Sequence, residues 1–152
     1  MKRAVERVVF ICNPVFTYGK TGWTPDDTFL SGTEESIREW ATEIKKRGFD
    51  TAVYYNGEPT DYKGVSYRDY ADYVPGDIDI NIKYLDFISE APHSWYLTNE
   101  FDIAYKDTSS YDGVILPSKW AVDNLGYEGV FKIVPHGYDS KQIYPGKKIK
   151  KQ

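Results

Sequence analysis

Residues 31–55 read SGTEESIREWATEIKKRGFDTAVYY, and this stretch decides the fold class. Ser31-Gly32-Thr33-Glu34 is a capping box, in which the hydroxyl and the carboxylate satisfy free N–H groups at the start of a helix. Apolar side chains then recur at the spacing of one helical face, at Ile37, Trp40, Ala41 and Ile44. Gly48 provides a left-handed cap, and residues 51–55 form an apolar strand. The stretch therefore predicts a helix followed by a strand.

An apolar strand precedes this helix, and a long loop separates the two. Residues 7–12, RVVFIC, form a short continuous apolar run, which is typical of a buried parallel strand. Residues 13–30 then carry the turn signals Asn13-Pro14, Tyr18-Gly19 and Thr24-Pro25. Loops of that length are usually functional. We therefore expect this loop to be more mobile than the sheet, unless its aromatic side chains pack onto the sheet.

Strand and helix patterns alternate through the rest of the chain. Further strands are predicted at residues 78–82, 94–98, 113–116 and 130–134. Ser118 begins a second helix, which ends at Gly126. Strands that alternate with helices pack as a parallel sheet between helical layers. The sequence therefore predicts an α/β fold with a Rossmann-like, doubly wound and mostly parallel sheet.

Asp77-Ile78-Asp79 has the Asp-x-Asp spacing of a metal-binding pair, whose carboxylates must converge on one cation. Here Ile78, Ile80 and Ile82 alternate with polar residues, as they do in a strand with one face in the core. We expect the two aspartates to form the polar face opposite the isoleucines. No metal site is therefore predicted, and no cofactor is expected.

Composition limits the cellular context and the classes of partner. The 152 residues favour one domain, and the net charge of −4 lacks the basic pattern of a nucleic-acid interface. The single cysteine, Cys12, has no disulfide partner within the chain, and no apolar stretch approaches a membrane span. A cytoplasmic protein is therefore expected. The basic residues 147–151 are interpreted as a solvated end, with weak contact to an anionic membrane surface as the alternative.

Three segments of the chain resemble glycosyltransferase family 4 and its relatives. Residues 31–50 resemble the glycine-rich helix opening of that family, together with the Arg-Gly turn that ends the helix. Residues 113–120, GVILPSKW, resemble its strand and serine-capped helix. Residues 132–145, KIVPHGYDSKQIYP, resemble the segment that closes its first domain. The three segments follow one another in the order found in the family.

The resemblance implies one half of a GT-B fold, which has two facing Rossmann-like domains. Residues 1–139 correspond to the N-terminal, acceptor-side domain, and residues 140–152 to a hinge with a basic tail that leads to an absent C-terminal domain. The implied activity is hexosyl transfer from a nucleotide sugar to a sugar or glycolipid acceptor, and this half is expected to be inactive alone. The alternative is a non-catalytic binding or assembly module that keeps the fold.

The resemblance also implies a site for the donor's diphosphate. Ser31, Gly32 and Thr33 correspond to the family's glycine loop, with a serine in place of the first glycine. Free N–H groups and the dipole at a helix start suit a phosphate, whereas Glu34 and Glu35 bring negative charge close to it. The alternative interpretation is a capping box without a ligand.

Two further groups of candidate residues follow from the resemblance. Asn99 and Glu100 come after a strand where family members often carry a histidine, and a carboxylate there suits the acceptor hydroxyl's proton. Both residues are equally suited to capping the next turn. Lys20, His136 and Gly137 are the candidate contacts in the cleft, where the acceptor binds, and Tyr18 and Trp23 are further candidate acceptor contacts on the loop. The alternative role of His136 is to satisfy the exit of the chain from the sheet.

The implied fold leaves part of the surface of this half uncovered. In the family, the second domain covers the rim of the cleft. Exposed apolar patches tend to form protein–protein interfaces, and the commonest symmetric assembly is a two-fold dimer. We therefore predict a homodimer formed through Trp120, Tyr127, Tyr138, Ile143 and Tyr144.

Overall fold

The structure is a computed structural model that describes residues 4–14, 23–27, 30, 32–98, 103, 106–125 and 127–134. Within those residues, eight strands form one sheet and two segments form α-helices. The strands are β1 (Arg7–Cys12), β2 (Asp50–Tyr54), β3 (Thr60–Tyr62), β4 (Val65–Arg68), β5 (Ile78–Ile82), β6 (His93–Leu97), β7 (Gly113–Leu116) and β8 (Phe131–Ile133). The helices are α1 (Gly32–Lys46) and α2 (Lys119–Leu125), and a 3-10 turn covers Tyr70–Asp72.

The strand order is β3-β4-β2-β1-β5-β6-β7-β8, and all neighbours are parallel except β3 and β4. β3 and β4 form a hairpin whose turn residues, Lys63 and Gly64, have φ values of 48° and 83°. Two successive residues with positive φ are the mark of a type I′ turn. The predicted α/β class and the mostly parallel sheet are confirmed, and the strand order is compatible with a Rossmann-like fold.

Helix α1 covers one face of the sheet. Its apolar stripe buries Ile37 and Ala41 in a cluster with Phe10 of β1 and Val53 of β2. Burial of one such isoleucine side chain contributes about 1.5–3 kcal/mol. Acidic residues in the first turn and basic residues in the last turn complement the helix dipole. The helix predicted from the apolar spacing is therefore confirmed.

Helix α2 covers the opposite face. Cα partners on neighbouring strands share a face, and one such row crosses the sheet through Ile11, Asn81, Tyr96 and Val114. Ala121 and Leu125 of α2 pack on the face of this row, whereas α1 packs on the face that carries Phe10. The Ser118 hydroxyl accepts a hydrogen bond from the Ala121 N–H at 3.1 Å, which confirms the predicted cap. The two helices thus lie on both faces, as in a doubly wound sheet.

Aromatic side chains from loops cover the centre of the α2 face. Tyr70, Tyr73, Tyr84 and Phe87 pack on a buried cluster made by β1 and β2. The rings meet edge-on, with centroids 4.8 Å apart for Tyr73 and Phe87 and 5.5 Å apart for Tyr70 and Tyr84. Several of the fourteen tyrosines therefore form a layer that a helix supplies in many α/β proteins. No helix among the described residues is long and apolar enough to cross a membrane.

Candidate functional site

The order of the sheet reverses between β1 and β5. From β1 the chain continues to β2 on one side, whereas β5, β6, β7 and β8 extend on the other side. Ligands of open α/β sheets bind outside the carboxyl ends of the strands, where the order reverses. A ligand site is therefore expected at the carboxyl edge of the sheet.

A groove lies along this edge, between the carboxyl ends of β5 to β8 and the N-terminal half of α1. Its polar lining consists of Thr33, Ser36, Lys83 and Thr98. Its apolar lining consists of Trp40, Leu97, Ile115, Leu116, Pro117 and Val134. None of these described lining residues is acidic. The groove is therefore lined by apolar residues together with three hydroxyl-bearing residues and one lysine.

The start of α1 borders the groove and contains part of the predicted phosphate site. Thr33 lines the groove, and a Cβ added at Gly32 would meet no atom within 4 Å. Glu34 is fully buried, whereas Glu35 is exposed and lies 3.9 Å from the Arg38 guanidinium. The predicted phosphate role of Gly32 and Thr33 stays a prediction. Open space at Gly32 is compatible with a ligand there, and the buried Glu34 carboxylate opposes an anion.

Lys83 comes directly after β5 and was not among the predicted site residues. Its φ of 56° is uncommon for a residue other than glycine. Its N–H donates to the Leu97 carbonyl at 3.1 Å, and its carbonyl accepts from Asn13 Nδ2 at 2.6 Å. These bonds connect the backbone of Lys83 to β6 and to the exit of β1. Its position directly after a parallel strand is the sequence signal that could have identified it.

Several predicted site residues lie outside the described part of the chain. They are Tyr18, Lys20, Ser31, Asn99, Glu100, His136 and Gly137. The described residues nearest to them in sequence do reach the groove. Thr98 and Val134 both line it, and Thr98 is buried and donates its N–H to the Ile115 carbonyl at 3.2 Å. The assignments of Asn99, Glu100 and His136 remain predictions.

Trp23 is a core residue, so its predicted role as an acceptor contact is wrong. The side chain is 5% exposed and meets Tyr55 and Tyr67 edge-on, with ring centroids 5.1 Å and 6.0 Å apart. Thr24 and Asp27 close a local turn next to it through a hydrogen bond from the Thr24 N–H to Asp27 Oδ2 at 3.0 Å. The indole therefore fixes residues 23–27 to the sheet.

Asp77 and Asp79 both accept hydrogen bonds that stabilise the fold. The prediction that they form a polar face is wrong for Asp79, which is buried. Asp77 Oδ2 accepts the backbone N–H groups of Glu6 and Arg7, both at 2.9 Å. Asp79 is fully buried under the aromatic layer and accepts hydrogen bonds from Tyr73, Ser89 and Gly76. Among the described residues, no group of three or more His, Cys, Asp or Glu side chains is placed to hold a metal ion.

Cys12 ends β1 at the same edge as the groove, and its thiol is fully buried. Burial raises the pKa of its thiol far above the ordinary value, and the Glu34 carboxylate adds to the shift. The thiolate is the reactive form of cysteine, and the raised pKa disfavours it at neutral pH. Cys12 therefore acts as a small apolar core residue. The described part of the groove offers binding groups and no activated nucleophile.

Comparison with known proteins does not assign the chain to a family. No protein-family model matches it, and no curated protein matches it.

Proposed function

We propose that this chain is the acceptor-side half of a two-domain glycosyltransferase that uses a nucleotide sugar. One observation carries the proposal. The three segments that resemble family 4 are far apart in sequence, yet each contributes to the same groove. Residues 31–50 contribute Thr33, Ser36 and Trp40, residues 113–120 contribute Ile115, Leu116 and Pro117, and residues 132–145 contribute Val134.

The composition of the groove suits a sugar-containing ligand. Sugar rings have apolar faces and polar edges, so they bind where an aromatic ring and hydroxyl groups occur together. The half-buried Trp40 provides the ring, and Thr33, Ser36 and Thr98 provide hydroxyls. In this proposal Asn99 and Glu100 receive the acceptor hydroxyl, and Lys20, His136 and Gly137 complete the cleft. The donor's diphosphate lies at Ser31, Gly32 and Thr33.

The proposal is tested by an amide NMR titration of the chain with uridine diphosphate. We expect millimolar binding that weakens with added salt, because charges near a surface are screened. The largest shifts should fall on Thr33, Ser36, Lys83, Thr98 and Val134. Uridine without phosphates is the control ligand and should give much smaller shifts.

Gly32→Val gives the matched variant for this titration. An added Cβ at Gly32 meets no atom within 4 Å, so the helix should still form on its apolar stripe. The branched side chain would occupy the space that a phosphate needs at the helix start, so we expect binding to be lost. Shifts of equal size in wild type and variant, or shifts centred elsewhere on the sheet, would contradict the proposed site.

A second candidate function, a non-catalytic assembly module, is favoured by the exposed apolar residues near β8. Trp120 is 62% exposed on α2, and Ile133 is 42% exposed on the edge strand. Ile133 is the Cα partner of Leu116, so it lies on the face that α2 covers. Edge strands with apolar side chains invite pairing with another chain. Of the predicted homodimer interface, the structure describes Trp120 and the half-buried Tyr127, whereas Tyr138, Ile143 and Tyr144 lie outside the described residues. Ile133 was not among the predicted interface residues.

The homodimer prediction is tested by sedimentation at tens of micromolar. The wild-type chain should sediment as a dimer, and Trp120→Lys or Ile133→Lys should give a folded monomer, because a desolvated lysine disfavours the interface. Ile88→Lys is the control, since Ile88 is 82% exposed in the loop after β5. A monomeric wild type, or equal effects of all three substitutions, would argue against an interface at β8.

A further inference from the structure

We infer that two copies of this chain pair antiparallel along the outer edge of β8, with Lys132 of one copy opposite Lys132 of the other. This pairing specifies the contact of the homodimer that is the second candidate function. It does not depend on the glycosyltransferase proposal. Pairing of the two edges joins both sheets into one continuous sheet across a two-fold axis.

The outer edge of β8 presents main-chain groups to a further strand. The Val134 N–H donates to the Leu116 carbonyl of β7 at 2.9 Å. Because the main-chain groups of successive residues in a strand point to opposite edges, those of Phe131 and Ile133 point away from β7. Among the described residues, no strand lies beyond β8. Such an edge is a template for pairing with another chain.

The sequence of this edge is self-complementary, which a two-fold contact requires. It reads VFKIV from Val130 to Val134, with apolar residues on both sides of Lys132. When Lys132 lies on the axis, Phe131 is opposite Ile133 of the second copy, and Val130 is opposite Val134. Each Phe131–Ile133 pair exchanges two N–H···O bonds through the outward main-chain groups. Pairs of aromatic and β-branched side chains stabilise this contact.

The apolar side chains of this segment are exposed on both faces of the sheet. Phe131 and Ile133 share the face that α2 covers, and they are 40% and 42% exposed. Val130 and Val134 lie on the opposite face, because side chains alternate along a strand, and they are 63% and 42% exposed. An added strand therefore covers apolar surface on both faces at once.

The charge of Lys132 opposes the pairing. Like charges directly opposite each other destabilise a pair of strands. The dimer should therefore be weak, and it should become tighter when added salt screens the two lysines. A copy with the opposite charge at this position should be the better partner.

The pairing also reaches the candidate site. Val134 lines the groove, and the residue opposite it is Val130 of the second copy. Opposite residues of paired strands have Cβ atoms about 5 Å apart. The second copy therefore lies at the end of the groove that Val134 forms.

The experiment mixes unlabelled wild type with isotope-labelled Lys132→Glu and counts homodimers and heterodimers by native mass spectrometry. Each homodimer brings like charges together on the axis, whereas the heterodimer brings opposite charges together. Heterodimers should outnumber the two homodimers combined by about twofold or more. Lys63→Glu is the control, because Lys63 is exposed in the β3–β4 turn at the other edge of the sheet. It should pair at random with wild type.

Ile133→Pro is the second variant, measured by sedimentation at tens of micromolar. Proline removes the N–H that points away from β7 and leaves the bonds to β7, which Lys132 and Val134 make. The variant should be monomeric and should unfold thermally near the wild-type temperature. Ile133→Val keeps the N–H and should stay dimeric, and Lys132→Val should tighten the dimer about twofold or more.

The outcomes separate this contact from other dimers. Excess heterodimers with Lys132→Glu and not with Lys63→Glu would support pairing along β8, and this mixing result decides alone if Ile133→Pro does not fold. Random pairing of wild type with Lys132→Glu, or a dimer that folded Ile133→Pro retains, would overturn the pairing and leave a dimer through the α2 surface standing. A monomeric wild type would overturn both. The glycosyltransferase proposal is tested separately, by the titration with uridine diphosphate.

Discussion

Trp23→Ala is expected to lower the free energy of unfolding by about 3–5 kcal/mol, the range for a buried tryptophan replaced by alanine. The indole is 5% exposed, and its two edge-on contacts with Tyr55 and Tyr67 add to the loss of buried area. The surroundings cannot close the cavity easily. The Trp23 carbonyl lies only 2.0 Å from the position of a Cβ added at Gly57, so the backbones already approach closely.

Urea unfolding of the wild type and the variant measures this effect. Ile88→Ala is the control, because Ile88 is 82% exposed and its removal should change stability by less than about 0.5 kcal/mol. Trp23→Phe should recover part of the loss through its ring contacts. Equal stabilities of Trp23→Ala and Ile88→Ala would show that the indole does not anchor residues 23–27 to the sheet.

The sequence predicted the elements whose signals are local. The apolar run at residues 7–12 and the spacing in residues 31–47 gave β1 and α1 nearly to their ends. The hydroxyl of Ser118 gave the start of α2. β3 was missed because Thr60–Tyr62 is a three-residue edge strand without an apolar alternation. It pairs only through the tight turn at Lys63 and Gly64.

Burial was harder to predict than secondary structure, because it depends on segments that are distant in sequence. The period-two pattern in residues 78–82 identified β5, but it suggested that the isoleucine face is the buried one. In the structure Asp79 and Asn81 are fully buried, because tyrosines from two loops cover that face. Trp23 was misassigned for the same reason. Its partners are Tyr55, which directly follows β2, and Tyr67 of β4, and both are far from Trp23 in sequence.

The candidate site was predictable in its location and less so in its residues. A helix start after the first strand pointed to the carboxyl edge, and Thr33 does line the groove there. Trp40 and Lys83 line it as well, although their sequence patterns indicated a helix stripe and a strand end. A residue's contribution to a groove depends on which strand ends are neighbours, and the strand order is not written in any one segment.

The buried Asp79 carboxylate leads to the second large expected effect. Asp79→Ala should lower the free energy of unfolding by about 2–4 kcal/mol, because it leaves buried donors without an acceptor. The donors are the hydroxyls of Tyr73 and Ser89, the latter at 2.7 Å, and the Gly76 N–H at 2.8 Å. The asparagine side chain in Asp79→Asn has the same shape as aspartate. Its oxygen accepts from the Gly76 N–H and its amide donates to the two hydroxyls, so the loss in free energy of unfolding should be much smaller.

The pH dependence of the two proteins separates charge from hydrogen bonding. Burial raises the pKa of Asp79 above its ordinary value of about 3.9, although its three hydrogen bonds and Arg7 lower it. Asp79 therefore contributes to the free energy of unfolding while its carboxyl is protonated. This contribution is complete below about pH 3.9, the unfolded-state pKa, and is lost as the pH rises through the raised pKa of the folded state. Asparagine cannot ionise. The free energy of unfolding of Asp79→Asn, measured with urea, should therefore increase relative to that of wild type as the pH rises from about 4 to about 8.

Asp107→Asn is the control with the opposite sign. Asp107 is exposed, and hydrogen bonds from the Ser109 hydroxyl and N–H lower its pKa. Its contribution to the free energy of unfolding is present above the unfolded-state pKa and disappears as the pH falls through the lowered pKa. The free energy of unfolding of Asp107→Asn should therefore decrease relative to that of wild type as the pH rises. If Asp79→Asn followed the same trend as Asp107→Asn, the buried carboxylate would be stabilised by its donors in the ionised form. In that case the ionised form of Asp79 would stabilise the aromatic layer over β5. The interpretation that ionisation of Asp79 weakens the fold would then be wrong.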